Sequence, residues 1–400
     1  MDDTITKKEK LQNGPDKTKG QTDLRGEFLQ GKEDIESLSR DWDKLFRHAK
    51  DAPAYFSRAW IQTFINHNRF EGKPCLIVVW KDSKLVALLP FYIKRICGIS
   101  FGKLIGTDEP SFLGLLLDPK YPEAAAVAAE TWIRKKVSHV FLNKHLSSLD
   151  NATQSFVAEL SRRGFAYKYG YERICHYIEL GCSFDEYMQK TKSGKRRRKL
   201  NYEEKKLLKS ADVKVTRYTG KDITPEIHER IAVIQNESWM KKRGAAIMGK
   251  PFYKNLLTNM AEAGLSSVWL MTIDGDDAAF AYTFITNGKL YYHWPAFKLK
   301  YEAGMSIGQM LLMHIIRDAC KEGILFFDFE HGDADYKRFW ANKAHSVFWV
   351  VAGRGLTGHI TILCYRIAWR LAGQKKLFQF YRRLRKFQKM ITHKPPTSGN

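Results

Sequence analysis

Residues 301–340 read YEAGMSIGQMLLMHIIRDACKEGILFFDFEHGDADYKRFW, and this stretch decides the fold prediction. The pattern predicts a glycine-flanked turn, an apolar helix over 305–322, a short buried strand over 324–329 and a polar cluster after it. Small residues let a ligand approach the backbone, and the first turn of a helix presents free N–H groups with partial positive charge. The stretch therefore predicts a phosphate or pyrophosphate site one strand away from a group of titratable side chains.

The start of this helix has two open interpretations. In the functional one, the amides of the first turn bind the anion, and the residues involved are Met305, Ser306, Ile307, Gly308 and Gln309. In the structural one, Ser306 is an ordinary N-cap and the glycines only form the connecting turn. Glycine spacing does not separate the two, because it is a weak motif by itself.

Length and composition limit the class of protein. The chain has 400 residues, more than one hydrophobic core usually organises, so we expect two domains. Six cysteines are scattered without CxxC pairs or the cysteine–histidine spacing of a zinc site, which predicts reduced thiols in a cytoplasmic protein and no metal site. Residues 1–27 are polar and lack the apolar segment of an export signal, so we expect a disordered leader. No apolar run reaches the about 18 residues that a membrane-spanning helix needs.

The remainder of the chain divides into two similar halves. Each half has the order helices, hairpin, helix and strand, and hairpin turns are predicted at 81–84, 274–275 and 287–288. Meandering strands followed by a helix and another strand predict an α+β fold with a mixed, mostly antiparallel sheet in each half, flanked by helices. We therefore expect domains over 28–184 and 185–355, and a basic amphipathic helix and tail over 356–400.

Three stretches of the second half resemble one protein family. SGKRRRKLNYEEKKL, from Ser193, resembles its basic helix, and YYHWPAFKLKYEAGMSIGQMLL, from Tyr291, resembles its small-residue segment before a helix. FFDFEHGDADYKRFW, from Phe326, resembles its DxxxGxxxYKxxW ending. The family is the CelD/BcsL-type group of GNAT acyltransferases, related to the FemABX peptidyltransferases, and the resemblance covers residues 185–352. The chain departs from the group's Pro-Gly at the helix start, where it has Ser306-Ile307-Gly308.

The resemblance implies tandem GNAT-like domains, a degenerate first domain, and acetyl-CoA or another acyl-CoA as co-substrate. Acyl transfer needs a base and dipoles that stabilise the developing oxyanion. Asp328 and Glu330 alternate with phenylalanines on the predicted strand, so their carboxylates share a face, and proximity would raise one pKa. The resemblance further implies that Tyr336 and Lys337 line the active centre. The predicted catalytic group is therefore Asp328, Glu330, Tyr336 and Lys337.

The predicted substrate-binding residues lie near this group and are Trp239, Arg243, Tyr292, Trp294 and His331. On the strand YYHWPAF we expect Tyr292 and Trp294 on one face and His293 on the other. These aromatic residues line a groove or pack in a core, and both interpretations stay open. His331 is either a base or an ordinary loop residue, and Asp328 either takes part in catalysis, caps the next turn or pairs with Lys337.

The formal net charge is +23, and its distribution is uneven. No Asp or Glu follows Asp335, whereas residues 337–394 contain fourteen Lys or Arg. Apolar residues at helical spacing within this tail predict a helix that binds an anionic membrane surface, with docking on the protein's own domain as the alternative. A second basic run, KSGKRRRKLNYEEKK, is either a solvated surface helix or a phosphate-binding helix for CoA, a nucleotide-linked or lipid-linked sugar, or tRNA.

These features predict a cytoplasmic GNAT-type acyltransferase, peripheral on the inner face of the membrane. It would transfer an acetyl or other acyl group to an amine or hydroxyl of a saccharide, lipid-linked or cell-envelope precursor, for example in polysaccharide biosynthesis. The alternative is a FemX-like transferase that uses aminoacyl-tRNA, or a tRNA- or RNA-binding protein. Nucleic acid is the less favoured partner, because the sequence lacks RNA-stacking motifs and a separate nucleic-acid domain.

Overall fold

The computed structural model describes residues 23–372, apart from residues 108, 110 and 302–305. Residues 1–22 of the predicted leader and residues 373–400 of the predicted basic tail lie outside the described residues. The leader prediction extends too far, because residues 24–27 belong to the first strand and pair with the second one.

The N-terminal half alternates between short helices and the strands that they cover. Its elements are β1 (Leu24–Gln30), α1 (Lys32–Ser37), α2 (Ser39–His48), α3 (Arg58–Asn66), β2 (Pro74–Lys81), β3 (Lys84–Ile96), β4 (Ile99–Leu104), β5 (Leu116–Leu117), α4 (Ala124–Arg134), β6 (Val140–Ser147), α5 (Asn151–Arg162) and β7 (Phe165–Glu179).

The C-terminal half repeats this order with longer helices. Its elements are α6 (Phe184–Thr191), α7 (Gly194–Ser210), β8 (Val213–Thr219), α8 (Pro225–Asn236), α9 (Trp239–Lys242), α10 (Pro251–Glu262), β9 (Ser266–Ile273), β10 (Asp276–Thr286), β11 (Lys289–Phe297), α11 (Ile307–Lys321), β12 (Phe326–His331), α12 (Asp335–Trp340), β13 (Lys343–Arg354) and α13 (Gly355–Ala372).

Local sequence sets the ends of many of these elements. Ser183 begins α6 with a capping box, in which its side chain and that of Glu186 each accept from the other's backbone N–H. The predicted hairpin turns are confirmed, since 274–275 and 287–288 join β9 to β10 and β10 to β11 with positive φ at all four residues. Asn-Gly and Asp-Gly are the dipeptides that favour this turn conformation.

The described strands form one mixed sheet in the order β1-β2-β3-β4-β6-β13-β7-β12-β11-β10-β9-β8, with β5 paired to β3. In each half, four antiparallel strands are followed by a parallel step across a helix: β4–α4–β6 in the first and β11–α11–β12 in the second. This repeated topology confirms the tandem organisation that the sequence predicted.

The two halves exchange their last strands. β13 of the C-terminal half lies between β6 and β7, and β7 of the N-terminal half lies between β13 and β12. β7 and β13 pair from Lys343–Tyr177 to Arg354–Phe165. Gly170 is required in this pairing, because a Cβ at that position would lie 2.1 Å from the Trp349 ring. The sheets assigned to the separate halves are thus joined into one, and the halves share their interior.

The two faces of the sheet carry different cores. On one face, α11 packs Ile307, Leu311 and Ile315 against a core that includes Tyr292 and Phe327. On the other face, aromatic residues of the N-terminal half pack against β10 and β11 of the C-terminal half: Tyr55 and Trp60 contact Phe284 and His293. The site between β11 and β12 is therefore enclosed by both halves.

Candidate active site

β11 and β12 separate from each other part-way along the sheet. Their parallel ladder covers Lys289–Phe326, Leu290–Phe327 and Tyr291–Asp328 and then ends, although β11 runs to Phe297 and β12 to His331. Beyond the ladder, each strand has a bulge. The register of β11 against β10 skips His293, and the register of β12 against β7 shifts between Asp328 and His331. These features create an opening between two central strands of the sheet.

A cavity of about 320 Å³ lies at this opening, against the start of α11. We name it the α11 pocket; it is lined by Trp239, Phe280, Tyr292, Pro295, Ala296, Phe297, Ser306, Ile307, Gly308, Gln309, Leu311, Leu312 and Tyr336. Four of the five predicted anion-site residues line it, and the fifth, Met305, lies outside the described residues. The structure thus brings the predicted helix start and the predicted Tyr336 to one pocket.

The first turn of α11 presents two backbone N–H groups to the α11 pocket. Ser306 occupies the N-cap position, as the structural interpretation expects, although its side chain makes no capping hydrogen bond. The N–H groups of Gln309 and Met310 donate to the Ser306 carbonyl, while those of Ile307 and Gly308 have no acceptor among the described residues. Gly308 also keeps the pocket open, because a Cβ there would lie 3.2 Å from the Phe297 ring.

A second cavity of about 240 Å³ adjoins the first at Ser306. We name it the α7 pocket; it is lined by Lys199, Tyr202, Glu203, Lys206, Leu207, Ser306 and Met310. It presents two lysines and an aromatic ring beside the positive end of α11. The sequence analysis included these residues in the second basic run but did not select Lys206 or Tyr202, because their proximity to α11 is not visible from local pattern.

Tyr336 and Lys337, adjacent on α12, point to different places. The Tyr336 ring lines the α11 pocket and contacts Phe329 edge-on, and burial raises the pKa of its hydroxyl. Lys337 is buried, and its Nζ donates to the carbonyl oxygens of Phe329 and His331, each at 2.6 Å. It therefore fixes the bulge of β12 rather than lining the pocket.

Asp328 and Glu330 lie on the same face of β12, as predicted, opposite the phenylalanines. Glu330 is buried, has φ of 57° and is hydrogen-bonded through Oε2 to His293 Nδ1. Burial raises the pKa of Glu330 well above its usual range, partly offset by the Lys337 charge, and lowers the pKa of His293 to about 3. The cause is burial rather than the predicted proximity of Asp328. The pair thus favours a protonated carboxyl group beside a neutral imidazole.

Asp328 ends a hydrogen-bond chain that crosses between the halves. Its Oδ2 lies 3.0 Å from His345 Nε2, and its Oδ1 accepts from the Glu330 N–H at 2.6 Å. His345 Nδ1 lies 3.1 Å from the Ser147 hydroxyl, at the end of β6. Asp328 therefore does not pair with Lys337 directly. The sequence analysis missed Ser147 and His345, since only the strand exchange brings them to β12.

Only some of the predicted substrate-binding residues line the α11 pocket. Trp239 and Tyr292 line the α11 pocket, and the Arg243 guanidinium lies 4.8 Å over the Trp239 ring. Trp294 packs against Tyr253 and Phe284 on the other face of the sheet. The prediction that Trp294 shares a face with Tyr292 is wrong, because the bulge at His293 reverses the alternation.

His331 is enclosed rather than solvated. Its ring stacks on Phe112 and meets His145 edge-on, with centroids 5.2 Å and 5.1 Å away, and neither ring nitrogen has a hydrogen-bond partner among the described residues. Burial, with nearby positive charges, lowers the pKa of His331 to about 2. A neutral ring of this kind is a poor base. Within the described ranges, no cluster of His, Cys, Asp and Glu is arranged to hold a metal ion.

Comparisons with known proteins find one matching family and several solved structures with a similar fold. Residues 194–338, which carry the opening and both pockets' helices, match the family described as acetyltransferase (GNAT) domain. The chain has a tandem GNAT fold. It superposes on FemX with a TM-score of 0.56 at 12% identity, covering 81% of this chain and 96% of that one. Among curated proteins, no sequence matches at a significant level.

Two further solved structures share the fold. The structure of L-PGS from Bacillus licheniformis has a TM-score of 0.52 at 10% identity, with 86% of this chain and 98% of that chain covered. The C-terminal domain of a putative lysylphosphatidylglycerol synthetase from Agrobacterium fabrum also has a TM-score of 0.52 at 10% identity, with 84% and 96% covered. At these identities the likeness concerns the fold.

Replacing Lys337 by Met should destabilise the protein by about 2–3 kcal/mol, because charge-assisted hydrogen bonds are lost and buried carbonyls of β12 remain unpaired. Lys343→Met is the matched control: Lys343 is exposed and pairs with Glu179 on the surface, so its loss should cost under about 1 kcal/mol. Urea unfolding of both variants measures the difference. Equal stabilities would contradict the role assigned to Lys337.

Proposed function

We propose that the protein is a GNAT-type acyltransferase that transfers an acyl group, acetyl in the simplest case, from acyl-CoA to an amine or hydroxyl. The proposed acceptors are saccharide, lipid-linked or cell-envelope precursors, as in polysaccharide biosynthesis. The observation that carries the proposal is the α11 pocket, where a helix start with two amides that lack an acceptor among the described residues meets an opening in the sheet and Tyr336. The likeness of residues 194–338 to the GNAT domain family supports it.

The donor would lie along the two adjoining pockets. The amides of Ile307 and Gly308 would bind the diphosphate, since a helix start combines free N–H groups with partial positive charge. Lys199 and Lys206 of the α7 pocket would bind a further phosphate of the donor nucleotide, with Tyr202 against its base. The pantetheine arm would then follow the α11 pocket, and the thioester would reach the opening between β11 and β12.

The chemistry would proceed by direct attack of the acceptor on the thioester carbonyl. Tyr336 would donate its proton to the departing thiolate, which its position in the pocket supports, and burial keeps the pKa of its hydroxyl high enough for it to remain protonated before the reaction. Glu330, with a pKa raised by burial, would remain protonated against His293, so removal of the acceptor's proton would fall to another group. We propose that Asp328, together with His345, which it contacts, removes the acceptor's proton.

An aminoacyl-tRNA donor is the second candidate. The exposed basic residues of α7, which begin at Lys195 and border the α7 pocket, favour it, because an RNA 3′ end would need positive charge beside the donor pocket. The acyl-CoA donor is preferred, because a pocket at a helix start suits a diphosphate. Binding measurements separate the two.

Donor binding is expected to depend on Gly308. Isothermal titration of the full chain with acetyl-CoA and with octanoyl-CoA should give binding that Gly308→Trp weakens by at least about tenfold, since the indole would fill the α11 pocket. Lys199→Ala combined with Lys206→Ala should also weaken binding, whereas Lys195→Ala on the same helix, outside the pocket, should not. Unchanged binding in Gly308→Trp would place the donor elsewhere. Binding of aminoacyl-tRNA but neither thioester would favour the second candidate.

Turnover is expected to depend on the Tyr336 hydroxyl. Tyr336→Phe keeps the ring against Phe329 but removes the proton donor, so kcat for thiol release from acetyl-CoA should fall by about 100-fold with little change in KM. Tyr167→Phe, on an exposed part of β7, is the control and should keep full activity. A Tyr336→Phe variant with unaltered kcat would remove this residue from the proposed centre.

A location at the inner membrane face remains part of the proposal. None of the described helices has the length and apolar character to cross a bilayer. α13 docks on the sheet through Ile362 and Tyr365 near Trp349, which agrees in part with the docking alternative. Its opposite face exposes a row of apolar residues at helical spacing, Leu356, Ile360, Leu363 and Ile367. An exposed apolar row leading into a basic segment supports binding to an anionic membrane surface.

This proposal predicts that α13 contributes to membrane binding. Ile360→Glu together with Leu363→Glu should reduce co-sedimentation with phosphatidylglycerol-containing vesicles, because both side chains would lose their apolar contact with the interface. His359→Glu adds a negative charge beside the row and is the control, which should retain most of the binding. The proposal would be contradicted if the protein still bound vesicles equally well after the double substitution and in 0.5 M salt, where the Debye length is roughly 4 Å.

A further inference from the structure

A cavity of about 540 Å³ lies between the two halves, on the face of the sheet opposite the α11 pocket. We name it the inter-half cavity. The N-terminal half contributes residues 49–56, the segment from Phe112 to Pro122 and the turn after β6, and the C-terminal half contributes β11, β12 and β13. The volume is in the range of small-molecule sites.

Three polar residues in the wall of this cavity form a hydrogen-bonded chain. The Ser147 hydroxyl lies 3.1 Å from His345 Nδ1, and His345 Nε2 lies 3.0 Å from Asp328 Oδ2. All three residues line the inter-half cavity, and all three are buried in the protein. A serine held against an imidazole that is itself held by a carboxylate is the arrangement of a nucleophile, its general base and the group that orients the base.

The contacts of His345 determine which ring nitrogen accepts a proton. A carboxylate only accepts hydrogen bonds, so the nitrogen that faces Asp328 carries the ring proton, and Nδ1 presents its lone pair to the Ser147 hydroxyl. The other Asp328 oxygen accepts from the Glu330 N–H at 2.6 Å, which fixes the carboxylate. His345 can therefore take the serine proton, and Asp328 stabilises the imidazolium that forms.

The surroundings hold both the imidazole and the hydroxyl in place. Phe112 and Tyr177 flank the His345 ring, with centroids 5.4 Å and 6.0 Å away. The Leu149 N–H donates to Ser147 Oγ at 3.1 Å and would stabilise negative charge that develops on this oxygen. A purely structural link between β6, β13 and β12 would use the same contacts. Reactivity of the Ser147 hydroxyl is what separates the two roles.

The rest of the lining limits the class of substrate. Apolar side chains, among them Phe56, Phe112 and Phe326, form most of the wall and suit a hydrocarbon group. The charged lining residues are listed here: Asp51, Asp150, Asp328 and Lys289. Because carboxyl groups outnumber the single lysine, the cavity disfavours an anionic substrate.

Tyr291 provides a hydrogen-bond donor in the same wall. It lines the inter-half cavity, and its hydroxyl makes no hydrogen bond with another described residue. Burial, with the nearby charges of Asp328 and Asp51, raises the pKa of Tyr291 well above its usual range, so the hydroxyl keeps its proton. It is therefore available to donate to a carbonyl oxygen of a bound molecule.

We propose that Ser147, His345 and Asp328 form a second catalytic centre, which hydrolyses uncharged carboxylic esters with an apolar acyl group. The Ser147 oxygen attacks the ester carbon while its proton passes to His345 Nδ1. The C–O bond to the alcohol breaks, and the departing oxygen takes that proton. Water then attacks the acyl-serine and gives a proton to Nδ1, and the Ser147 oxygen leaves with it. A carboxylic acid and an alcohol result.

This hydrolysis goes beyond the proposed acyl transfer. The transfer uses His345 and Asp328 to remove the acceptor's proton, whereas the hydrolysis adds Ser147 as a nucleophile and needs no acyl-CoA. The only co-reactant is water.

The first test measures hydrolysis of p-nitrophenyl butyrate by the full chain. The native protein should release p-nitrophenol, and Ser147→Ala should lower kcat by at least about 100-fold, because the nucleophile is lost. Ser148→Ala is the matched control and should keep full activity: Ser148 lies outside the cavity, and its hydroxyl accepts from the Ser346 N–H at 3.2 Å. No hydrolysis by the native protein, or an equal kcat in Ser147→Ala, overturns the proposal.

The second test uses the native protein and does not depend on the folding of a variant. Phenylmethylsulfonyl fluoride bonds covalently to an activated serine oxygen as fluoride leaves. Peptide mass spectrometry should locate this label on Ser147, and His345→Gln should prevent the labelling, since the base is absent. A structural serine would not react. A native protein without the label on Ser147 overturns the proposal, even if Ser147→Ala is inactive.

Titration with acetyl-CoA separates this proposal from the proposed acyl transfer. Ester hydrolysis that depends on Ser147, in a protein that does not bind acetyl-CoA, supports the second centre and refutes the acyl-CoA donor. Binding of acetyl-CoA without labelling of Ser147 overturns the second centre and leaves the proposed acyltransferase in place.

Discussion

The pairing of β7 with β13 places one strand of each half inside the sheet of the other half. This exchange aligns the two repeated units in one sheet, so their positions are set by backbone hydrogen bonds as well as by side-chain packing. It also places the end of β6 beside β13, where the Ser147 hydroxyl contacts His345, which in turn contacts Asp328 of β12. Asp150, in the turn before α5, lines the same cavity as these residues. A companion domain that only packed on the outside could not supply them.

The opening between β11 and β12 depends on a buried cation. A parallel ladder that ends inside a sheet leaves backbone groups without their strand partners, which is costly unless other donors satisfy them. Lys337 donates to the carbonyls of Phe329 and His331, and Glu330 adopts the left-handed conformation between them. Asp328 accepts from the Glu330 amide on the same bulge. The opening is thus a fixed feature of the fold, and residues that look catalytic in sequence also maintain its shape.

Local sequence patterns predicted the helix, the strand and the hairpin turns, whose formation depends on neighbouring residues. The apolar period of 307–321, the alternation of 326–330 and the Asp-Gly and Asn-Gly turns depend on neighbouring residues, and the structure contains the helix, strand and hairpins they indicate. The start of α11 and Tyr336 were selected together because a helix start and the next helix flank one strand, and both line the α11 pocket. Trp294 was placed on the wrong face, since nothing in YYHWPAF marks His293 as a bulge residue. Ser147, His345 and Asp150 could not be selected, because the strand exchange that unites them joins positions about 200 residues apart in the chain.

The two faces of the opening differ in charge, and this difference gives the site a direction. On the α11 face, the helix start and Lys199 and Lys206 favour an anion. On the other face, Asp150 and Asp328 favour a cation, although the chain as a whole is strongly basic. This asymmetry follows from the tandem fold, because the C-terminal half alone builds the α11 and α7 pockets, whereas the cavity on the other face is lined by both halves. Asp150 belongs to the first half and Asp328 to the second, so neither half alone contains both carboxyl groups.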